Sequence, residues 1–171
     1  MPKIILRDAV LNDVESLLAL YRPFVIETTV SFEIEPPSLD EFQTRIQKAL
    51  DGWAWLVAEM DGEVVGYAYG SLHRVREAYK WSVETSAYVQ AAHRGKGLGR
   101  RLYGALMPRL AERGYCNAYA GIALPNEASI AFHRAMGFQP VGVFKSVGWK
   151  FGRWHDVSWW HLSIRDRPPE A

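Results

Sequence analysis

The chain has 171 residues, of which 49% are hydrophobic and 23% are charged, and its formal net charge is +1. This composition is typical of a folded globular domain and argues against a disordered chain or a membrane protein. The small net charge gives no general attraction to nucleic acid. A single cysteine, Cys116, rules out an intrachain disulfide and a cysteine-based metal site, and we predict that it is a small buried residue.

No targeting segment or interdomain linker is evident in the sequence. Residues 1–7 lack the long apolar region of a secretory signal peptide, and neither repeats nor low-complexity tracts divide the chain. We therefore predict one domain over residues 1–171, with a polar tail at 164–171. The reducing cytoplasm is the predicted location.

The first fifty residues predict a strand, a helix, a long loop and a second helix. Ile4–Arg7 is β-prone, and the apolar residues that follow it recur at helical spacing. Pro23 is expected to weaken this first helix, so Phe24–Pro37 is predicted to be a loop. Ser38 opens the second helix with a capping box, and an Asp-Gly pair ends it.

Three strands are predicted next. Trp53–Met60 and Glu63–His73 are β-prone, and the Asp61-Gly62 pair between them is typical of a two-residue hairpin turn. A basic connection, Arg74–Trp81, then leads into Ser82–Val89, which predicts the third strand.

A basic, glycine-rich turn follows this third strand and leads into a helix. Its glycines let the backbone approach a ligand closely, and the free N–H groups of the helix start attract anions. The basic residues around the turn are Arg94, Lys96, Arg100 and Arg101. We predict a phosphate or pyrophosphate site here, the alternative being an ordinary turn with a solvated basic face. The glycine patterns of Rossmann folds and of P-loops do not match this turn.

The last third of the chain predicts a strand, a short helix and two closing strands. Tyr115–Leu124 is strand-like, and a helix is predicted over Glu127–Met136. Phe138–Val147 and Trp154–Ile164 predict the closing strands, joined across Gly148–Arg153. The resulting order, β-α-α-β-β-β-α-β-α-β-β, predicts an α/β (α+β) fold with a mixed sheet flanked by helices.

The glycine turn carries a resemblance to a known family. Arg94-Gly95-Lys96-Gly97-Leu98-Gly99 resembles the Arg/Gln-x-x-Gly-x-Gly/Ala motif of the GNAT superfamily of N-acetyltransferases. Three further blocks resemble the phosphinothricin N-acetyltransferase group within it: Ser-Val-Glu-Thr-Ser-Ala-Tyr-Val (82–89), Phe-His-Arg-Ala-Met-Gly-Phe (132–138) and Gly-Trp-Lys-Phe-Gly-Arg-Trp-His-Asp-Val (148–157). The resemblance spans almost the whole chain and implies a GNAT-like, mostly antiparallel sheet.

The resemblance implies that acetyl-CoA binds at the glycine turn. The backbone of Ala87, Tyr88 and Val89 would pair with the pantetheine arm. The residues implied at the pyrophosphate are Arg94, Gly95, Lys96, Gly97, Leu98, Gly99 and Arg100. Asn126 resembles the family's asparagine at the next helix start, which contacts the pantetheine. A helix N-cap is a compatible alternative for it.

The resemblance also implies two acid–base residues. Glu84 is the predicted general base, on a strand where partial burial would raise its pKa, and a surface glutamate is the alternative. His133 is the predicted donor of a proton to the CoA thiolate, or a member of a relay with Glu84, and a buried structural histidine is the alternative. A backbone N–H near Ala87 or Tyr88, freed by a β-bulge, is predicted to stabilise the thioester oxygen.

Amine recognition is predicted for the basic connection and the long loop. Arg74 and Arg76 would form a fork for carboxylate or phosphinate oxygens, the alternative being a solvated charged loop. The predicted substrate-binding residues are Phe32, Arg74, Arg76, Glu77, Tyr79, Thr85 and Ser86. Core packing is the alternative for Phe32 and Tyr79. His155 and Asp156 fall on opposite strand faces, so we predict a structural or interface role for them instead of a catalytic pair.

The function implied is acetyl-CoA-dependent acetylation of the α-amino group of a small amino-acid analogue such as phosphinothricin, without a metal. Such a reaction would detoxify that herbicide. The alternatives are methionine sulfoximine or sulfone as acceptor, a protein N-terminus as acceptor, and a non-catalytic acyl-CoA-binding module. A homodimer using the C-terminal strands is expected from the resemblance, and no nucleic-acid or membrane partner is expected.

Overall fold

The computed structural model describes residues 3–170, which form seven strands and four helices in the predicted order. The strands are β1 (Ile4–Asp8), β2 (Trp55–Met60), β3 (Glu63–Leu72), β4 (Ser82–Val89), β5 (Asn117–Ala123), β6 (Gln139–Lys150) and β7 (Arg153–Ser163). The helices are α1 (Val14–Glu27), α2 (Leu39–Gly52), α3 (Leu98–Glu112) and α4 (Glu127–Ala135).

All seven strands lie in one sheet, in the order β1-β2-β3-β4-β5-β7-β6. Every neighbouring pair is antiparallel except β4 and β5. This arrangement confirms the predicted mixed, mostly antiparallel sheet. The single parallel pair is possible because the crossover between β4 and β5 contains α3.

Two hydrophobic cores lie on opposite faces of the sheet. Trp55 and Val57 of β2 belong to the core beneath α1 and α2, whereas Leu56 and Ala58 belong to the core beneath α3. Because strand side chains alternate between faces, β2 serves both cores through four successive apolar residues, Trp55 to Ala58. This double burial explains the continuous apolar run that predicted the strand.

Helix α1 is longer than predicted, because it continues through Pro23 to Glu27. A proline in a helix interior removes one backbone hydrogen bond and favours a break. Here the next two residues, Phe24 and Val25, are buried against the sheet, and their burial favours continuation of the helix. The predicted loop that began at Phe24 therefore begins at Thr28.

The connection between β6 and β7 is shorter than predicted. The strands extend to Lys150 and from Arg153, so the expected six-residue connection is a two-residue turn. Phe151 and Gly152 both have positive φ, 53° and 70°, as a type I′ hairpin turn requires. A phenylalanine is rarely found in this conformation, so the sequence did not predict a two-residue turn here.

Several smaller predictions agree with the structure. Asp61 and Gly62 both have positive φ in the β2–β3 turn, and Ser38 caps α2 by accepting a hydrogen bond from Glu41 N at 3.2 Å. Cys116 is buried. His155 is buried and pairs through Nε2 with the Lys150 carbonyl; it therefore has a structural partner. No helix within residues 3–170 is long and apolar enough to cross a lipid bilayer.

Candidate active site

A gap opens in the middle of the sheet where β4 and β5 diverge. The two strands pair only over Ser82–Glu84 and Asn117–Tyr119. Beyond this point β4 continues beside β3 as far as Val89, and β5 continues beside β7 as far as Ala123. The second half of β4 therefore has one edge without a strand partner.

Backbone groups on this free edge of β4 point into the gap. Gln90 N donates to Val65 O at 2.9 Å, and the register of β4 against β3 is unbroken. Because paired residues alternate in an antiparallel ladder, the N–H and C=O groups of Ala87 and Val89 face the gap, whereas those of Tyr88 face β3. The predicted β-bulge is absent from β4, and strand divergence instead frees the Ala87 N–H.

The glycine turn closes one end of the gap. Gly95 and Gly97 have φ of 74° and 76°, so their lack of a Cβ avoids the strain of the left-handed region. Gly97 is the N-cap of α3, whose first N–H groups lack partners within the helix. The Arg94 guanidinium lies over the Phe24 ring and donates to Val89 O at 3.3 Å.

A cleft of about 530 Å³ joins the free edge of β4 to the glycine turn and the start of α4. Among the residues predicted for the cofactor, it is lined by Ala87, Tyr88, Val89, Arg94, Gly95, Gly97, Leu98, Gly99, Arg100 and Asn126. Lys96 does not line this cleft. Asn126 caps α4 by accepting a hydrogen bond from Ser129 N at 3.1 Å. The backbone donors and basic charge of this cleft fit the pyrophosphate and pantetheine of acetyl-CoA.

A second, smaller cavity of about 280 Å³ adjoins this cleft. Both are lined by Val30, in the loop that follows α1. Four predicted residues line the smaller cavity: Phe32, Glu84, Thr85 and Ser86. The site thus contains a long cleft and a small side chamber, and Val30 is common to both.

Sequence reasoning missed several residues of the small cavity, including Ser71, Gly121 and Trp159. Ser71 lies opposite Glu84 in the β3–β4 register, and Gly121 lies opposite Trp159 in the β5–β7 register. A side chain at Gly121 would press on the Trp159 indole, so the glycine lets this ring lie close to the sheet. Strand alternation predicts which side chains share a face of one strand, but the register between strands was not evident in the sequence.

Glu84 is half-buried, with 26% of its side chain exposed. Burial raises the pKa of the Glu84 carboxyl, and the positive charge of Arg74 opposes that rise. A carboxylate with a raised pKa is a stronger base than an ordinary surface glutamate. His73 Nδ1 lies 4.0 Å from its Oε2 atom.

His133 lies behind the cleft and lines neither cavity. Its Nδ1 is 2.7 Å from the Ser129 carbonyl; a carbonyl only accepts, so Nδ1 carries the proton. Its Nε2 then accepts from the Tyr103 hydroxyl at 3.3 Å. Burial lowers the pKa of His133, which favours this neutral ring.

The predicted basic fork is only partly assembled at the cavity. The Arg74 guanidinium lies 5.9 Å from the centre of the Trp159 ring, a wall of the small cavity. Tyr79 contacts His73 edge to face, and Glu77 pairs with Lys80. Arg76 is exposed. None of these four predicted residues lines the small cavity itself.

Within residues 3–170, no group of three or more His, Cys, Asp and Glu side chains is placed to hold a metal ion.

Comparison with known proteins agrees with this arrangement. Residues 6–159 match the Acetyltransferase (GNAT) domain. The chain is 40% identical over 162 residues to phosphinothricin N-acetyltransferase of Streptomyces coelicolor, covering 92% of this chain and 95% of that protein. It is 38% identical over 161 residues to L-methionine sulfoximine/L-methionine sulfone acetyltransferase of Pseudomonas paraeruginosa, covering 93% and 94%.

A solved structure gives the same result for the fold. The phosphinothricin acetyltransferase of Sinorhizobium meliloti, in complex with acetyl-CoA, superposes with a TM-score of 0.92 at 36% identity. The match covers 98% of this chain and 94% of that chain. The fold, the cleft and these relatives agree that the chain belongs to the GNAT superfamily and is an acetyl-CoA-dependent N-acetyltransferase.

Proposed function

We propose that the protein acetylates the α-amino group of a small amino-acid analogue such as phosphinothricin, by direct transfer from acetyl-CoA, with Glu84 as general base. The observation that carries this proposal is the position of Glu84 in the small cavity, which adjoins the acetyl-CoA cleft at Val30. An amine in this cavity would meet the carboxylate on one side and the acetyl group on the other. Direct transfer then needs no acetylated enzyme.

In this mechanism Glu84 accepts a proton from the substrate ammonium, which frees the nitrogen lone pair for attack on the thioester carbonyl. The Ala87 N–H, which faces the gap, donates to the carbonyl oxygen as negative charge develops on it. The new C–N bond forms as the C–S bond breaks, and the leaving thiolate takes up a proton.

For His133 we propose that it supplies a proton to the thiolate through Ser129. The Ser129 hydroxyl lies 3.3 Å from His133 Nδ1, and Ser129 lines the acetyl-CoA cleft. The ring first takes up a proton at Nε2; the Ser129 hydroxyl then donates its proton to the thiolate and regains one from Nδ1, which leaves His133 neutral. This route keeps the predicted proton donor while accounting for its position behind the cleft.

The assignment of Glu84 is tested by Glu84→Gln, which keeps the shape of the side chain and removes its basicity. We expect kcat/KM for the amine to fall by about 10²- to 10⁴-fold, the usual contribution of general acid–base catalysis, with acetyl-CoA affinity unchanged. Steady-state thiol release and calorimetric titration with acetyl-CoA measure the two quantities. Full activity of the variant would contradict the mechanism.

His133→Phe in the same assay should lower kcat and leave the KM for the amine unchanged.

The acceptor is tested with a panel of amines. Arg74 lies beside the cavity and has no acidic partner within residues 3–170, so it is available to attract a carboxylate or phosphinate. We expect the highest kcat/KM for phosphinothricin, with methionine sulfoximine and sulfone as the alternative. Near-equal, weak values for all of these would contradict both. Preference for an N-terminal peptide would indicate an acetyltransferase that acts on protein N-termini. Thiol release that does not depend on an amine would indicate an acyl-CoA-binding module without acetyltransferase activity.

With phosphinothricin as acceptor, the product would lack the free amine, and expression in the cytoplasm would confer resistance to this herbicide. Growth of an expressing host on phosphinothricin is a direct test of this physiological role.

We also propose that the protein is a homodimer that pairs through the β6–β7 hairpin. This hairpin forms one edge of the sheet, and its large apolar side chains are unusually exposed. Seven of them, each at least 44% exposed, form what we call the hairpin patch: Val141, Val143, Phe144, Val147, Trp149, Phe151 and Trp154. Apolar patches of this kind on a long edge strand are normally covered by a partner.

A further inference from the structure

His73 lies just beyond the end of β3, beside the proposed base. Its Nδ1 atom is 4.0 Å from Glu84 Oε2. The ring stacks on Tyr119 of β5, with 4.7 Å between ring centroids, and the edges of Tyr79 and Trp159 pack around it. Three neighbouring elements therefore hold the imidazole in place next to the carboxylate.

The Nδ1 atom of His73 is buried and has no hydrogen-bond partner in the part of the chain that the structure describes. A buried polar atom without a partner is costly, and such exceptions are found where a ligand or a reaction supplies the partner. The gap of 4.0 Å to Glu84 is too long for a direct hydrogen bond, but a movement of about 1 Å would close it. With 13% of the side chain exposed, the ring also reaches solvent.

The charge environment keeps this imidazole neutral. Burial lowers the pKa of His73, and the neighbouring Arg74 lowers it further. The charged and titratable groups around the pair, within residues 3–170, are Arg74 and Tyr79 on the connection, Tyr69 on β3, Tyr119 on β5 and His161 on β7. A neutral imidazole has one nitrogen free to accept a proton, so the free Nδ1 is suited to take one from a neighbouring acid.

We propose that His73 takes up from Glu84 the proton that Glu84 removes from the substrate ammonium. In the first step an N–H bond of the ammonium breaks and an O–H bond forms on Glu84. In the second step this O–H bond breaks, an N–H bond forms on Nδ1, and the carboxylate is restored beside an imidazolium. The imidazolium then loses a proton to solvent, and the ring returns to its starting tautomer, with Nδ1 unprotonated, before the next turnover. This inference rests on the proposed role of Glu84, through which His73 acts.

Two variants of His73 separate this role from simpler ones. His73→Asn keeps a side-chain N–H that can donate to Glu84 but cannot accept a proton, and His73→Phe keeps a ring that stacks on Tyr119. If His73 accepts the proton, both variants lower kcat by about tenfold or more. Both also move the acid limb of kcat/KM to lower pH, because the first proton binds the Glu84–His73 pair more tightly than it binds Glu84 alone.

Other outcomes overturn the proposal. Unchanged kcat and an unchanged pH profile in both variants would mean that His73 only packs. A third outcome is that His73→Asn behaves as wild type while the acid limb of His73→Phe moves to higher pH. This result would mean that His73 only donates a hydrogen bond to the carboxylate. Acetyl-CoA binding and thermal unfolding serve as controls for folding.

Failure of this inference is distinguishable from failure of the proposed function. If Glu84→Gln is inactive while the His73 variants behave as wild type, only the relay is wrong. If Glu84→Gln is fully active, the base assignment is wrong and the relay through it is wrong with it.

Discussion

At the scale of single residues, the reactivity of Glu84 depends on two opposing effects. Burial among the strands favours the neutral carboxyl, and the nearby positive charge of Arg74 favours the carboxylate. A general base works only in its deprotonated form, so the balance between these effects sets the lower limit of the working pH range. In the proposed function the same arginine would also attract the acidic group of the substrate.

Arg74→Met tests this balance. Without the positive charge the pKa of Glu84 should rise further, so the carboxylate is lost at a higher pH and the acid limb of kcat/KM moves upward. The pH dependence of kcat/KM measures the shift. Lys80→Met, a change in the same connection, should leave the limb in place, since Lys80 pairs with Glu77 and Glu170. A downward shift in Arg74→Met would contradict the electrostatic account.

At the scale of elements, the β6–β7 hairpin holds the loop that forms the wall of the small cavity. Lys150 Nζ is buried and donates to the carbonyls of Val25 and Ser31, both at 2.7 Å. Phe32, the next residue of the loop, lies against the backbone of Gly148. The end of β6 therefore fixes the position of Phe32, which is distant in sequence and lines the small cavity.

Gly148→Ala tests this contact. A Cβ at this position would overlap the Phe32 ring, which must turn away because it is the flexible partner. We expect the KM for the amine to rise by about three- to tenfold, with a change in unfolding free energy within about 0.5 kcal/mol. Steady-state kinetics and urea unfolding measure the two effects.

Gly142→Ala is the matched control for this change. It also lies in β6, and a Cβ there would meet nothing within 4 Å. Its KM should equal that of the wild type. A normal KM for Gly148→Ala would mean that the position of Phe32 does not matter for the amine.

Much of the fold followed from local patterns, because turn residues, helix caps and strand alternation act over a few neighbouring positions. Most of the residues predicted for the cofactor line the larger cleft, because the glycine turn and the β4 edge are contiguous in sequence, whereas its lining residues from α1, the loop after it and α4 were missed except for Asn126 at the start of α4. The residues of the small cavity were harder to predict, because strand register, a long-range property, brings Trp159 and Ser71 to the same cavity as Glu84. The turn at Phe151 was missed for a different reason: its side chain disfavours the turn conformation that it adopts.

At the scale of the whole molecule, the two ends of the sheet differ. The β1 edge is a short strand of five residues, whereas the β6 edge is twelve residues long and carries the hairpin patch. Short edge strands resist pairing with other chains, and long apolar ones promote it. The β6 edge is therefore the one at which we propose that a second copy pairs.

Trp149→Glu tests this assembly. If the protein is the proposed dimer, a charge in the hairpin patch should dissociate it into 19.4 kDa monomers, because an unpaired charge is costly in an apolar interface. Sedimentation velocity measures the mass, and Val10→Glu, at a similarly exposed position outside the patch (50% against 56% for Trp149), should remain dimeric. A wild-type protein that sediments as a monomer at all concentrations would contradict the proposed interface.

The divergence of β4 from β5 has a consequence beyond catalysis. Four strands lie on one side of the gap and three on the other, and only three residue pairs join them. A pantetheine arm that fills the gap would act as an extra, removable strand between the two halves. We therefore expect acetyl-CoA to join the two halves of the sheet along the gap, so that its binding raises the stability of the domain and its release lowers it.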